Sequence, residues 1–104
     1  MPPADTETPA ALPQVDAVNE MIGELFPGSD NACVELTATT AVARRAVSDA
    51  ELRPGAFISG PSQFALADAA LWYLVFGATG RIEPMALTSE LSIRFLRPAQ
   101  GSVL

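Results

Sequence analysis

The sequence contains no histidine and no lysine, and its single cysteine is Cys33. Without histidine, the chain cannot build a Ser-His-Asp triad, a Cys-His pair or a histidine metal site unless another chain supplies the residue. A lone cysteine excludes an internal disulfide and a cysteine zinc site, and the absence of lysine excludes a lysine Schiff base and a P-loop lysine. We therefore expect no metal site and no cofactor.

The net charge of −6 argues against a nucleic-acid partner, and a hydrophobic content of 49% in 104 residues indicates one globular domain. Residues 1–13 are rich in proline and acids and lack the basic and apolar regions of a signal peptide, so they are expected to form a mobile tail. The apolar run Phe64–Ala78 is shorter than the ~20 residues that cross a bilayer. We expect a cytoplasmic protein with no membrane partner and a single domain over residues 14–104.

Three segments of the first half have readable patterns. Apolar residues recur at helical spacing from Gln14 to Phe26, which predicts an amphipathic helix. The segment Cys33–Val47 alternates with period two, which predicts one long strand. Prolines and glycines interrupt Leu52–Pro61, which predicts a loop or a brief strand leading to the next helix.

The second half is predicted to hold a long helix and a strand. Ser59 or Gly60 can cap the helix, Pro61 suits its first position, and glycines can end it at about Gly77–Gly80. The segment Met85–Leu96 alternates again and predicts a strand packed on the helix. Together the segments predict an α+β fold in which a long central helix lies against an antiparallel sheet.

The last four residues, Gly101–Leu104, resemble the opening of a further strand. Two long strands and an apolar helix would leave much apolar surface and an open sheet edge uncovered. We therefore expect either that partners cover this surface or that the domain is incomplete at its C-terminal side.

Asp68 is the one charged residue within the apolar run Phe64–Ala78. An ionised carboxylate in apolar surroundings is costly, so it is expected to have either a charged partner or a chemical task. The structural alternative is an ion pair with an arginine such as Arg53 or Arg94. The functional alternative is a catalytic base.

Two stretches together resemble a known family. Ser59–Asp68 (SGPSQFALAD) and Leu87–Ala99 (LTSELSIRFLRPA) are similar to the hotdog-fold acyl-CoA thioesterases of the phenylacetate-degradation type, within the 4-hydroxybenzoyl-CoA thioesterase superfamily. In that family a His-Gly-Gly turn opens the central helix, Leu-Ala-Asp lies on the helix, and a later strand ends in a Phe-Leu-Arg-Pro-Ala-like stretch. The resemblance covers Arg53–Ala99 and implies a hotdog fold, an antiparallel sheet wrapped around a long helix, here lacking the final strands.

The resemblance also implies roles for individual residues. Asp68 matches the catalytic carboxylate, which activates water or attacks the thioester carbonyl itself. Gly60 matches the glycine whose backbone N–H polarises the carbonyl oxygen, and free N–H groups at a helix N-terminus suit a developing oxyanion. Thr88 matches a Ser or Thr that orients the attacking water.

The sequence departs from the family pattern at the helix entry. Ser59 stands in place of the usual histidine, Pro61 replaces the second glycine and has no N–H to donate, and Arg53 stands where some members have an asparagine near the thioester. We expect Ser59 and Arg53 to contact the substrate, and Arg97 to meet the phosphates of coenzyme A, for which a guanidinium is suited.

The resemblance implies an acyl-CoA thioesterase that releases free acid and coenzyme A and works as a homodimer or homotetramer, with its site at a subunit interface. An alternative is a non-catalytic hotdog module that binds acyl thioesters or mediates oligomerisation. A hydratase or dehydratase of the same fold ranks last, because those enzymes use a histidine.

Overall fold

The computed structural model of the chain describes residues 13–104, so the tail predicted over residues 1–13 lies, but for its last residue, outside the described residues. Within these described residues, two α-helices, two pairs of strands and one short 3-10 helix follow one another. In order they are α1 (Val15–Leu25), β1 (Asn31–Leu36), β2 (Ala41–Arg45), the 3-10 helix (Asp49–Glu51), β3 (Leu52–Arg53), β4 (Phe57–Ile58) and α2 (Gly60–Thr79). The predicted α+β class with one long helix is confirmed. No helix in residues 13–104 has the length and hydropathy needed to cross a membrane.

Local sequence explains the ends of α2. The helix begins after Ser59, whose side-chain oxygen accepts a hydrogen bond from the N–H of Ser62 at 3.2 Å, and Pro61 lies in the first turn, where a missing N–H costs nothing. The helix ends at Gly80, which adopts the left-handed conformation with φ of 75°. The predicted cap and C-terminal glycine are therefore both found.

The prediction of one long strand over Cys33–Val47 is wrong. The segment forms an antiparallel hairpin, in which β1 and β2 pair and a bulge lies between Cys33 and Glu35. Thr37 makes the turn: its N–H donates to the carbonyl of Thr40 at 2.8 Å, and its hydroxyl accepts from the N–H of Thr39 at 3.2 Å. The reversal contains neither glycine nor proline, so alternation continues through it in the sequence and hides the turn.

The prediction of a strand over Met85–Leu96 is also wrong. These residues pair with no other strand in the part of the chain that the structure describes. A strand requires a neighbour whose N–H and C=O groups complete the ladder, and alternation alone cannot supply one. The segment leaves large apolar side chains exposed, Met85 at 88% and Leu87 at 91%.

The C-terminal residues lie beside the strands. Val103 forms an isolated antiparallel bridge with Ala46, and Leu104 exchanges two backbone hydrogen bonds of 3.0 Å with Arg45. The expected strand opening at Gly101–Leu104 is thus present as a single bridge beside β2. Another bridge joins Gln100 to Phe57 of β4.

The core lies between α1, the hairpin and the C-terminal half of α2. Its fully buried members are Val18 and Ile22 of α1, Cys33 of β1, and Tyr73 and Phe76 of α2. At the end of this contact Gly77 approaches the hairpin turn so closely that a Cβ atom would lie 2.0 Å from the carbonyl oxygen of Thr37. Gly77 therefore does not end the helix; it allows the helix to reach the hairpin.

Candidate functional site

Asp68 lies half-buried on α2, and its carboxylate is held by a hydroxyl group. The side chain of Thr88 donates a hydrogen bond to Oδ1 of Asp68, bridging 20 positions of sequence. Among residues 13–104 no arginine forms an ion pair with Asp68, so the structural alternative of a pair with Arg53 or Arg94 does not occur there. The carboxylate keeps acceptor sites that Thr88 does not use.

Two clefts meet at Asp68. The first, the interhelix cleft, lies between α1, α2 and residues 84–88 and has a volume of about 370 Å³. The second, the helix-entry groove, has a volume of about 630 Å³ and runs past Gly60, Phe64 and Phe95. Asp68 and Ala65 line both clefts, so a molecule that extends from one cleft into the other passes over the carboxylate.

The interhelix cleft has an aromatic wall. The rings of Phe26 and Trp72 meet edge to face with centroids 6.0 Å apart, and Trp72 packs on Phe76 at 4.9 Å. Tyr73 lies at the same cleft, and burial, followed by the proximity of the Cys33 thiol, raises the pKa of Tyr73 to about 12. The Tyr73 hydroxyl is therefore neutral at physiological pH, and Asp68 is the charged residue among those that line this cleft.

The helix-entry groove contains one backbone donor that is not used. Pro61 has no N–H, the N–H of Ser62 donates to the hydroxyl of Ser59, and the N–H of Gln63 donates to the carbonyl of Ser59 at 3.2 Å. The N–H of Gly60 has no partner among the residues that the structure describes. Because it lies at the positive end of the α2 dipole, it is suited to bind a carbonyl oxygen or an anion.

Gly60 and Asp68 line the same groove but are not neighbours. They are eight residues apart on one helix, which at 1.5 Å per residue separates them by about 12 Å along the axis. A carbonyl group receives a hydrogen bond at its oxygen and a nucleophile at its carbon, and both contacts are about 3 Å long. One carbonyl therefore cannot touch both residues of the same chain directly.

The comparison with protein families gives one match over this half of the chain. Residues 55–103 match the model of the thioesterase superfamily. The match spans Gly60, Asp68 and Thr88 and supports thioester chemistry, although it does not distinguish the phenylacetate-degradation type within the superfamily. The comparisons with curated proteins and with solved structures found no match.

Three further residues, Ser59, Arg53 and Arg97, are predicted from sequence to contact the substrate. Ser59 is 4% exposed, and its hydroxyl is engaged with Ser62 inside the helix cap. Arg53 and Arg97 are exposed, and neither lines the two clefts at Asp68. A substrate-binding role for these three residues stays a prediction.

Sequence analysis missed two features of the site. Phe95 closes one side of the helix-entry groove, with its ring 3.4 Å from where a Cβ of Gly60 would lie. An ion pair between Arg45 and Glu51, with Nε and Oε1 2.7 Å apart, lies beneath the helix entry. Neither feature can be predicted from a local sequence pattern, because each joins residues from different elements. Within residues 13–104 no group of three or more metal-ligating side chains is arranged to hold an ion.

Proposed function

We propose that the protein is a hotdog-fold thioesterase that hydrolyses an acyl-CoA to the free acid and coenzyme A. The observation that carries the proposal is one groove lined by Asp68 and by Gly60, whose N–H has no partner within residues 13–104, in the segment that matches the thioesterase superfamily. A thioester carbonyl requires an oxyanion donor and a base or nucleophile, and these two residues offer those groups.

In the proposed reaction Asp68 takes a proton from water while the water oxygen attacks the thioester carbon. The Gly60 N–H stabilises the negative charge that develops on the carbonyl oxygen. Collapse of the tetrahedral intermediate breaks the C–S bond, and the thiol leaves with the proton that Asp68 accepted. The hydroxyl of Thr88 fixes the orientation of the Asp68 carboxylate. Direct attack by Asp68, through an anhydride that water then hydrolyses, is the other form of the same proposal.

The separation of about 12 Å between Gly60 and Asp68 along α2 supports a site built from two copies of the chain. In a homodimer, Gly60 of one copy and Asp68 of the other would face one carbonyl group. A homotetramer made of two such dimers would use the same pairing. The apolar side chains that each copy leaves exposed, among them Phe64, Phe95 and Leu96, supply surface for this contact.

The first test is thiol release from a panel of acyl-CoA esters by the wild type and by Asp68→Asn. Loss of a general base typically costs about 10²- to 10⁴-fold in kcat. Asp68 is half-buried and has no ion pair among the described residues, so the variant is expected to fold with an unchanged circular dichroism spectrum. Wild-type turnover by a folded Asp68→Asn variant would refute the role of Asp68.

A complementation test addresses the two-copy site. Gly60→Pro removes the N–H and is compatible with the extended backbone of Ser59, whose φ and ψ are −65° and 150°. Asp68→Asn and Gly60→Pro alone should each lower kcat by about 10²-fold or more and leave only a residual rate. Mixed dimers contain one site with an intact Gly60 and an intact Asp68, so co-expression should restore about a quarter of wild-type activity. Failure to restore activity in a confirmed heterodimer would contradict the shared site.

The alternative is a non-catalytic module that binds thioesters or mediates assembly. It is favoured by the helix entry, where Ser59 is engaged in the cap and Pro61 offers no donor. Calorimetric binding of a non-hydrolysable acyl-CoA analogue, with no thiol release from any ester in the panel, would support it. Rapid hydrolysis would exclude it.

A further inference from the structure

Arg45 and Glu51 form an ion pair next to the entry of α2. Nε of Arg45 donates to Oε1 of Glu51 at 2.7 Å, and the two side chains are only 20% and 13% exposed. The second guanidinium contact runs from Nη1 to the side-chain oxygen of Asn31 on β1, also at 2.7 Å. The pair therefore anchors Glu51 to both strands of the hairpin.

The second carboxylate oxygen of Glu51 is also hydrogen-bonded. Oε2 accepts the backbone N–H of Ser48 at 3.0 Å and the Ser48 hydroxyl at 3.2 Å, which completes a capping box around the 3-10 helix. These contacts, with the Ser48 N–H first, then Arg45 and the Ser62 hydroxyl, lower the pKa of Glu51 to about 2. The carboxylate stays ionised at physiological pH, and both of its oxygens have partners.

The backbone of Glu51 connects this anchor to the helix entry. Its carbonyl accepts the N–H of Ser59 at 2.9 Å, and the next N–H along the chain is that of Gly60. The hydroxyls of Ser59 and Ser62 are hydrogen-bonded to each other at 2.9 Å, and both residues are buried. Every other donor of the first turn is engaged or missing, so the orientation of the Gly60 peptide is set by the groups around it.

We propose that Arg45 and Glu51 are positioning residues that fix the direction of the free Gly60 N–H. The proposal rests on the proposed function, in which this N–H stabilises the oxyanion. A donor contributes to catalysis only if it already points at the place where charge will develop, because reorientation during the reaction costs energy. The ion pair connects the turn at the edge of the groove to the hairpin, which packs in the core. This connection keeps the turn rigid.

The kinetic test compares Glu51→Gln with the wild type. Glutamine keeps the shape and one acceptor but loses the charge that holds Arg45. Misplacement of the donor weakens an interaction made in the transition state, so kcat is expected to fall about tenfold while KM changes less than about twofold. Arg45→Gln, which leaves the contacts between Ser48 and Glu51 in place, should lower kcat in the same direction and serves if Glu51→Gln does not fold.

Arg81→Gln is the matched control. It breaks the exposed pair of Arg81 with Glu83, the other ion pair of residues 13–104, and should leave kcat unchanged. A loss of kcat in Arg81→Gln equal to that in Glu51→Gln would show a general effect of charge and would overturn the proposal. Rates are expressed per folded protein, so a lower folded fraction cannot imitate a positioning effect.

A double-mutant cycle with Gly60→Pro tests whether the pair acts through this N–H. Once Gly60 has no N–H, there is nothing left to position, and Glu51→Gln should change the residual kcat less than about twofold. If Glu51→Gln lowers kcat equally in both backgrounds, the pair does not act through Gly60 and the proposal is wrong.

Amide hydrogen exchange gives a readout that needs no activity. Glu51→Gln should speed exchange of the Ser59 N–H about tenfold or more, and shift the Gly60 amide resonance, while amides in the centre of α1 stay unchanged. If the wild type hydrolyses no thioester, the proposed function fails, and these amide measurements still decide whether the pair orders the helix entry. Unchanged exchange and resonance in Glu51→Gln would overturn the positioning role even in an active enzyme.

Discussion

The two halves of α2 have different surroundings. The C-terminal half carries Tyr73, Phe76 and Gly77, which are buried against α1 and the hairpin. The N-terminal half carries Gly60, Phe64 and Asp68, which line open clefts. Chemistry requires access for substrate, and folding requires exclusion of water. The C-terminal half of α2 is packed in the core, and the N-terminal half borders the groove in which the proposed site lies.

The difference shows that hydrophobicity alone does not locate the core. Phe64 and Phe76 lie on the same helix, yet Phe64 is 39% exposed and Phe76 is 0% exposed. What separates them is the partner: Phe76 belongs to the buried cluster with residues of α1 and the hairpin, whereas Phe64 lines the open helix-entry groove. Phe64 lines the same groove as Phe95 and Asp68.

The largest expected effect comes from exchanging these two phenylalanines for alanine. Phe76→Ala should lower the free energy of unfolding by about 4 kcal/mol, because it leaves a cavity in the core. Phe64→Ala should cost less than about 1 kcal/mol, because much of the ring is already in water. Urea unfolding followed by circular dichroism measures both. Equal losses would show that the two halves of α2 are equally packed in solution.

The next effect compares two helical glycines. Gly77→Ala places a Cβ atom 2.0 Å from the carbonyl oxygen of Thr37 and should destabilise the fold by about 2 kcal/mol, because backbone must move. Gly23→Ala in α1 meets nothing within 4 Å and should stabilise by roughly 0.5–1 kcal/mol through helix propensity. Thermal unfolding of the two variants should therefore shift in opposite directions. A harmless Gly77→Ala would mean that the helix and the hairpin turn are further apart than described.

The helices and the brief strand within Leu52–Pro61 could be predicted from sequence, whereas the pairing of the strands could not. Apolar spacing in α1, the Ser59 cap and Gly80 are local signals, and the structure confirms them. The turn at Thr37 and the unpaired segment Met85–Leu96 depend on which strands meet, and alternation carries no information about partners.

Part of the candidate site could likewise be predicted from sequence, and part could not. Resemblance to a family pointed to Gly60, Asp68 and Thr88, and the structure brings Thr88 to Asp68 although 20 positions separate them. The Gly60 N–H, which has no partner within residues 13–104, could be partly foreseen as a donor, because Pro61 cannot donate. The pair of Arg45 and Glu51 could not, because its importance lies in the contact of Glu51 with the helix entry, which only the folded chain reveals.

A smaller effect distinguishes two roles for Ser59, which lies at the N-terminal end of α2. As a helix cap, Ser59→Ala should cost about 1 kcal/mol of stability, and Ser59→Asn, which can still cap, should recover most of it. As a substrate contact, Ser59→Ala would raise KM instead. Urea unfolding and steady-state kinetics on both variants decide between the cap and the predicted substrate contact. An increase in KM with unchanged stability would favour the substrate contact.

The smallest expected effect is a pH dependence that belongs to the helix entry rather than to the core. The pKa of Glu51 is lowered from 4.5 to about 2 by the Ser48 N–H, Arg45 and Ser62. A carboxylate with a depressed pKa in the folded state stabilises the fold above its unfolded value, and this contribution disappears as the pH falls from about 4.5 towards 2. Within residues 13–104, Arg45 is the charged group that forms an ion pair with it.

Glu51→Gln should therefore lower the urea midpoint at neutral pH and have progressively less effect below about pH 4.5, where the carboxyl takes up a proton in the unfolded chain and only towards pH 2 in the folded one. Arg81→Gln, which breaks the exposed pair, is the control and should show no comparable convergence with the wild type. Because Glu51 anchors the N-terminal end of α2 to the hairpin, the Ser59 amide should lose exchange protection over the same pH interval, before the buried amides near Phe76 do. Simultaneous loss of protection in both halves would show that the helix entry does not open separately. The two halves of α2 would then unfold as one unit.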